Sequence, residues 1–279
     1  MHNTLISTAD LEARLAQPDL VICDVRHDLA KPDTWGRAQY AAGHVPGAIF
    51  VHLDTDLSGP RTGANGRHPL PTPEHAAANF GRLGIGHGKQ VVAYDQGGGA
   101  YAARMWWMLR WLGFEAAAVL DGGYAKWAAE GRVVSTDPTE PTPAKFTIQR
   151  VTPTVNATGV MASIPRQGLL ILDARAPERF RGEKEPLDPV AGHIPGARNR
   201  PYTQNLNADG TFKPAAALRE EFGAVLEGVP HEQVVHQCGS GVTACHNILA
   251  MEIAGLPGTR LYPGSWSEWC ADPARPVER

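Results

Sequence analysis

The sequence predicts an α/β protein of two tandem copies of one domain, each a mainly parallel sheet with helices on both faces. Three observations carry that reading. Four blocks recur in one order, short apolar runs alternate with longer helix-like patterns, and a Pro- and Thr-rich stretch separates the copies. "LVICDVR" at 20–26 returns as "LLILDAR" at 169–175, and "AGHVPGA" at 42–48 as "AGHIPGA" at 191–197. "VVAYDQGGGA" at 91–100 aligns with "VVHQCGSGVT" at 234–243, and "DGGYAKW" at 121–127 with "PGSWSEW" at 263–269. The offset is 149 residues from Asp24 to Asp173 and from His44 to His193, 143 from Asp95 to Cys238, and 142 from Gly122 to Gly264. A fixed order with slowly drifting offsets marks a duplicated domain whose loops have changed length.

In chain order, the first copy offers "LVICDV", "QVVAYD" and "AAAVLDGG" as buried strands; the second offers "LLILDA", "QVVHQC" and "TRLYPG". "AYAARMWWMLRWLG" at 100–113 and "TACHNILAMEIAGL" at 243–256 repeat apolar residues at helical spacing, and each ends near a glycine. Strands alternating with helices favour a parallel sheet, with ligands beyond the carboxyl ends of the strands. "STDPTEPTPAKFTIQR" at 135–150 reads as an extended linker. The domains expected are therefore 1–134 and 151–279.

With 279 residues, 43% of them apolar and 20% charged, the chain can bury a core in each copy. A net charge of −3 gives no reason to expect nucleic acid or an anionic membrane as partner. The start "MHNTLISTADLEARL" lacks a secretory pattern, and no apolar run approaches the ~18 residues of a membrane span. Four scattered cysteines, without CxxC spacing, argue against a disulfide scaffold or a zinc site. The expectation is a cytoplasmic protein with free thiols, no metal and no cofactor.

Cys238 stands at the tip of a strand, ahead of Gly239, Ser240 and Gly241 and of a helix start. Such a turn can curl successive N–H groups toward the sulfur, and the helix adds its own unsatisfied donors. A cradle of that kind stabilises a thiolate, a bound oxyanion or a sulfur-loaded cysteine. The bland alternative, a buried strand-ending cysteine, is weakened by the repeat: the matching position holds Asp95, so the scaffold does not require a thiol there. One copy reads as catalytic and the other as degenerate.

The tandem repeat, the GHIPGA block after a D-A-R strand and the CGSGVT loop resemble the two-domain rhodanese family of sulfurtransferases over nearly the whole chain. The loop is similar to that of the 3-mercaptopyruvate-using branch. The resemblance implies that Cys238 takes a sulfane sulfur from a small-molecule donor as a persulfide and passes it to cyanide or a thiol, with a thioredoxin-like reductant among the candidate acceptors. It further implies that Ser240 works with a histidine and an aspartate, matched here by His68 in "GRHPLPTPEH" and Asp54 in "AIFVHLDTDL". Arg179 in "RFRGE" matches the family's substrate-binding arginine, and a planar guanidinium suits a carboxylate or sulfonate. The resemblance also implies that Gly239, Gly241, Val242 and Thr243 complete the substrate-binding loop. One departure stands out. The family often carries a second arginine farther along, where "KEPLDPVAGH" has Leu187; Arg104 and Lys184 are the candidate replacements. Thiosulfate therefore stays open as donor.

Two rival readings remain. A phosphatase on this scaffold needs an arginine in the C-x5-R position, which is Ala244. The other is a non-catalytic binding or sulfur-carrier module, which if purely a binding module would tolerate Cys238→Ser. His44 and His193 are expected to brace their loops, "MWWMLRW" to pack in a core, and "QGGGA" lacks the rest of a nucleotide-binding motif.

Overall fold

The computed structural model describes residues 1–166 and 168–279. They form two compact units. Unit 1 comprises Met1–Ser58, Pro71–Thr152 and Asn207–Phe212; unit 2 comprises Gly59–Leu70, Pro153–Leu206 and Lys213–Arg279.

In unit 1 the strands are β1 (Leu5–Ile6), β2 (Leu20–Asp24), β3 (Ala48–Phe50), β4 (Gln90–Tyr94) and β5 (Ala117–Leu120), in the order β1-β5-β4-β2-β3, every pairing parallel. The central strands β2 and β4 are apolar without alternation because both faces of a parallel sheet are covered. Ile22 pairs with Val92, and Val92 with Ala118, in a core closed by Tyr94, Leu120 and Trp127. The tryptophan-rich run forms the helix Ala102–Trp111, with Trp106, Trp107 and Trp111 all buried. The stretch after Val134 has no helix. It lies along unit 1 through Ala144 N–H to the Gly81 carbonyl at 2.8 Å, and Gln149 and Thr152 N–H to the Leu112 and Trp111 carbonyls at 3.0 and 2.9 Å.

In unit 2 the strands are β6 (Leu170–Asp173), β7 (Arg198–Asn199), β8 (Val234–Gln237) and β9 (Arg260–Leu261), in the order β7-β6-β8-β9, again all parallel. This is the order of β3-β2-β4-β5, so the sequence repeat is a repeat of topology. Ile171, Val235, Ile194, Tyr262, Trp266 and Trp269 form its core.

The D-x-R and GHxPGA blocks do the same work in each unit. Arg26 Nε binds both oxygens of Asp24 at 3.0 and 2.9 Å, and Nη2 donates to the Gly43 carbonyl at 2.7 Å. Arg175 binds Asp173 at 3.1 and 3.0 Å and the Gly192 carbonyl at 2.8 Å. Each guanidinium lies over an aromatic ring, Tyr124 at 4.1 Å or Trp266 at 4.7 Å. A fully buried ion pair holds only when its other donors are satisfied, and here a carbonyl and a π face satisfy them. His44 stacks on Tyr40 and bonds its carbonyl through Nδ1; His193 does so with Phe180. Both histidines are therefore braces.

Candidate active site

Strand β8 delivers Cys238 to the carboxyl end of the unit 2 sheet, where the turn 238–242 leads into the helix Thr243–Ile253. The turn is tied down by the short helix Ser265–Trp269. Ser265 Oγ accepts the Cys238 N–H at 3.1 Å, and the N–H groups of Trp266 and Ser267 donate to the Cys238 and Gly239 carbonyls at 3.0 and 2.9 Å. Gly241 has φ +76°, and a Cβ on it would lie 2.3 Å from the Pro263 carbonyl oxygen, so only glycine fits. Cys238 is buried, and the Ser240 N–H approaches its sulfur at 3.5 Å. Val242 occupies the N-cap position without a side-chain cap, and Thr243 opens the helix. Cys245 falls in the first helical turn, nearer than the two turns its spacing from Cys238 suggests; its thiol donates to the Gly241 carbonyl at 3.3 Å. Burial pushes the thiols of Cys23 and Cys270 up, which keeps them protonated.

Ser240 is not a helix cap. Its Oγ lies 2.7 Å from Nδ1 of His68, and both side chains are buried. His68 precedes the sequence linker, yet its segment Gly59–Leu70 belongs to unit 2. Asp54 lies in unit 1, in the first turn of the helix Leu53–Asp56, where its N–H donates to His52 Nδ1 at 3.1 Å. Arg104 is fully buried in unit 1, with Nη2 on the Leu57 carbonyl at 3.3 Å.

Arg179 projects from the short helix Pro177–Phe180. Its Nε and Nη2 bind Glu185 at 3.1 and 2.6 Å, and Nη2 also reaches Asp188 Oδ2 at 3.2 Å. A Cβ built on Gly239 would sit 3.4 Å from Arg179 Nη1, so the guanidinium borders the cysteine turn. A second guanidinium does the same. Arg67 Nη2 would be 2.8 Å from that Cβ, while its Nη1 pairs with Asp188. Lys184 and Leu187 stay exposed on the loop, and the Leu187 N–H donates to Glu185. Burial pushes the Asp188 carboxyl up, opposed by the neighbouring arginines. Sequence reasoning missed Arg67. The one available signal was its place beside His68, because its partners lie far along the chain.

Unit 1 presents the matching turn with a different occupant. Asp95, fully buried, accepts N–H bonds from Gly97 and Gly99 at Oδ1, 3.0 and 3.1 Å, and from Tyr101 and Ala102 at Oδ2, 2.7 and 3.2 Å. Burial pushes its carboxyl up and the four backbone donors pull it down. The turn is a receptacle for an anion.

Two parallel sheets of one topology, each followed by a matching turn after β4 or β8, define a duplicated domain in which one turn carries a carboxylate and the other a thiol. The rhodanese-like domain family model matches residues 7–130 and 157–272, and the chain belongs to the rhodanese family. It is 48% identical over 276 residues to a probable 3-mercaptopyruvate sulfurtransferase of Pseudomonas aeruginosa, covering 98% of this chain and 97% of that one. A putative thiosulfate sulfurtransferase of Mycobacterium tuberculosis is 42% identical, with 99% and 96% covered. Among solved structures, the 3-mercaptopyruvate sulfurtransferase of Escherichia coli superposes with a TM-score of 0.82 at 31% identity, covering 94% of this chain and 98% of that one.

Proposed function

We propose that this protein is a sulfurtransferase that moves the sulfur of 3-mercaptopyruvate, through a persulfide on Cys238, to cyanide or a thiol. The observation that carries the reading is the 2.7 Å contact between His68 Nδ1 and Ser240 Oγ, two residues from Cys238 on a turn bordered by Arg179. In the first half-reaction the Cys238 thiolate attacks the donor sulfur. The new S–S bond forms, the donor C–S bond breaks, and its electron pair leaves on carbon as the pyruvate enolate. That carbon takes a proton from the Ser240 hydroxyl, which protonated His68 resupplies and solvent restores. In the second half-reaction cyanide carbon attacks the outer sulfur, the S–S bond breaks, Cys238 leaves as thiolate and thiocyanate is released.

Arg179 binds the donor carboxylate, and the N–H groups of Gly239, Gly241, Val242 and Thr243 face the transferring sulfur. Asp54 enters on the family resemblance, as the acid partner of His68. A thiol acceptor, thioredoxin-like reductants included, replaces cyanide in the cell. No helix among the described residues is long and apolar enough to cross a membrane. The four cysteines are free thiols, which suits the reducing cytoplasm we assign to it.

The second reading is thiosulfate as donor, favoured by Leu187 and by the name of the Mycobacterium tuberculosis relative. The deciding experiment is cyanide-coupled turnover of both donors on one preparation. A higher kcat/KM for 3-mercaptopyruvate is the expected result; preference for thiosulfate reverses the donor assignment, and turnover of neither sinks the enzyme reading.

A further inference from the structure

The structure assigns Arg67 as a second donor-binding cation, paired with Arg179 on the anionic end of the donor; this rests on the sulfurtransferase reading above. The backbone is fixed on both sides of it. Gly66, at φ +86°, packs so closely on Gly264 that a Cβ would lie 2.7 Å from its carbonyl oxygen. Arg67 N–H donates to Ser267 Oγ at 3.0 Å, and the next residue, His68, bonds Ser240. The side chain thus leaves from a point held by the same short helix that ties down the cysteine turn.

Asp188 aims both guanidiniums. One of its oxygens pairs with Arg67 and the other with Arg179 Nη2, and the carboxylate is almost wholly buried. The arginines are 25% and 16% exposed, so their outer edges remain open to a small anion. Among the described residues only Nη1 of the Arg67 fork has a protein partner, and Nη2 lies 2.8 Å from where a Cβ on Gly239 would stand. Gly239 follows Cys238 directly and has no side chain to fill the space the two forks share. An α-keto carboxylate whose sulfur meets Cys238 would present its oxygens to that space. Two planar forks held by one carboxylate can then each take one carboxylate oxygen. A basic residue at position 187 becomes unnecessary, consistent with the exposed Leu187.

The test compares wild type, Arg67→Gln and Arg67→Lys. Steady-state kinetics use 3-mercaptopyruvate with cyanide, and preloaded persulfide is discharged by cyanide in single turnover. Losing a charge-assisted hydrogen bond should raise KM at least about tenfold in Arg67→Gln, with kcat and the discharge rate nearly unchanged. Arg67→Lys, which keeps the charge and loses the fork, should fall between. If Arg67→Gln does not fold, Arg67→Lys alone decides, by a raised KM with unchanged discharge. An unchanged KM, or a discharge slowed as much as overall turnover, overturns the assignment and makes Arg67 a prop of the turn. If wild type turns over neither donor, the enzyme reading fails by itself. Arg67 is then judged by titrating wild type and variants with pyruvate: weaker binding in the variants upholds it, and equal binding overturns it.

Discussion

The turns after β4 and β8 are the same device with different occupants. In unit 1 Asp95 fills the cradle with its own carboxylate, which takes four backbone N–H bonds. In unit 2 a thiol stands there, with one N–H at 3.5 Å from sulfur. The two side chains differ in reach. A carboxylate oxygen is two bonds from Cβ, and so is the outer sulfur of a cysteine persulfide. Unit 1 therefore shows what such a turn does with negative charge at that distance, and it binds it with backbone donors alone. The thiol of Cys238 ends one bond short. On the proposed mechanism, sulfur loading would carry charge to the depth at which Asp95 holds it, so the turn would favour the loaded enzyme without a metal or a basic side chain inside the loop.

The strongest way to break this comparison is to exchange the occupants. Cys238→Asp should fold with unchanged thermal stability, because the turn accepts a carboxylate, and should lose more than about 10³-fold in sulfur transfer. Cys238→Ser should lose activity equally. Asp95→Cys combined with Cys238→Ser should stay inactive, because the histidine–serine pair and the two arginines belong to unit 2. Turnover by that double variant would show the turn alone to be sufficient and the unit 2 side chains dispensable. Melting curves and the cyanide-coupled assay together read all three.

A smaller effect is expected at the serine. On the proposed mechanism Ser240→Ala removes the proton path to carbon and should lower kcat with 3-mercaptopyruvate by about 10²-fold. Turnover of thiosulfate should hardly change, since sulfite leaves without needing a proton. Equal losses with both donors would mean that Ser240 shapes the turn and moves no proton.

How much of this was legible in the sequence follows the range of the interactions. The central strands are read from continuous apolar runs, and β4 and β8 fall inside "QVVAYD" and "QVVHQC". The edge strands β1, β3 and β7 were not read, because two or three residues carry no periodicity and are defined by their partners. Ser240 and His68 are 172 residues apart, so composition and spacing could not join them; the family resemblance did. Arg67 went unread for the same reason without that help, since Asp188 and Ser267 are 121 and 200 residues away. Nor does a polar Gly- and Pro-containing loop announce which unit it joins, which is why 59–70 and 207–212 are findings of the structure.

The next difference is one of charge. Strand β4 runs Ala93-Tyr94 into Asp95, whereas β8 runs His236-Gln237 into Cys238. His236 is fully buried, neither ring nitrogen has a partner among the described residues, and burial pushes its pKa down to about 3. Between pH 6.5 and 3 the unfolded chain binds a proton there that the folded one refuses, so stability falls as pH falls. From pH 7 to 5 the loss from this group is about 2 kcal/mol. His236→Ala, which restores the residue of unit 1, should remove that increment, as urea unfolding at the two pH values would measure. An equal acid loss in the variant would assign it to other groups.

The smallest effect concerns the neighbouring position, where the units differ by one satisfied hydroxyl. The Tyr94 hydroxyl donates to Asp24 Oδ2 at 2.9 Å and accepts the Val45 N–H at 3.2 Å. Gln237, paired in register with Asp173 as Tyr94 is with Asp24, has neither amide atom bonded among the described residues, though it is fully buried. Tyr94→Phe should cost about 1.5 kcal/mol, since it strands a carboxylate oxygen and an N–H. Gln237→Met, which keeps the volume and removes an unsatisfied amide, should gain about 1 kcal/mol. Opposite signs at equivalent positions would show that polarity in these strands is stabilising only where a partner is built in. A loss in Gln237→Met would instead give the amide work of its own beside Cys238, and turnover in that variant would show whether the work is done on the substrate or on the fold.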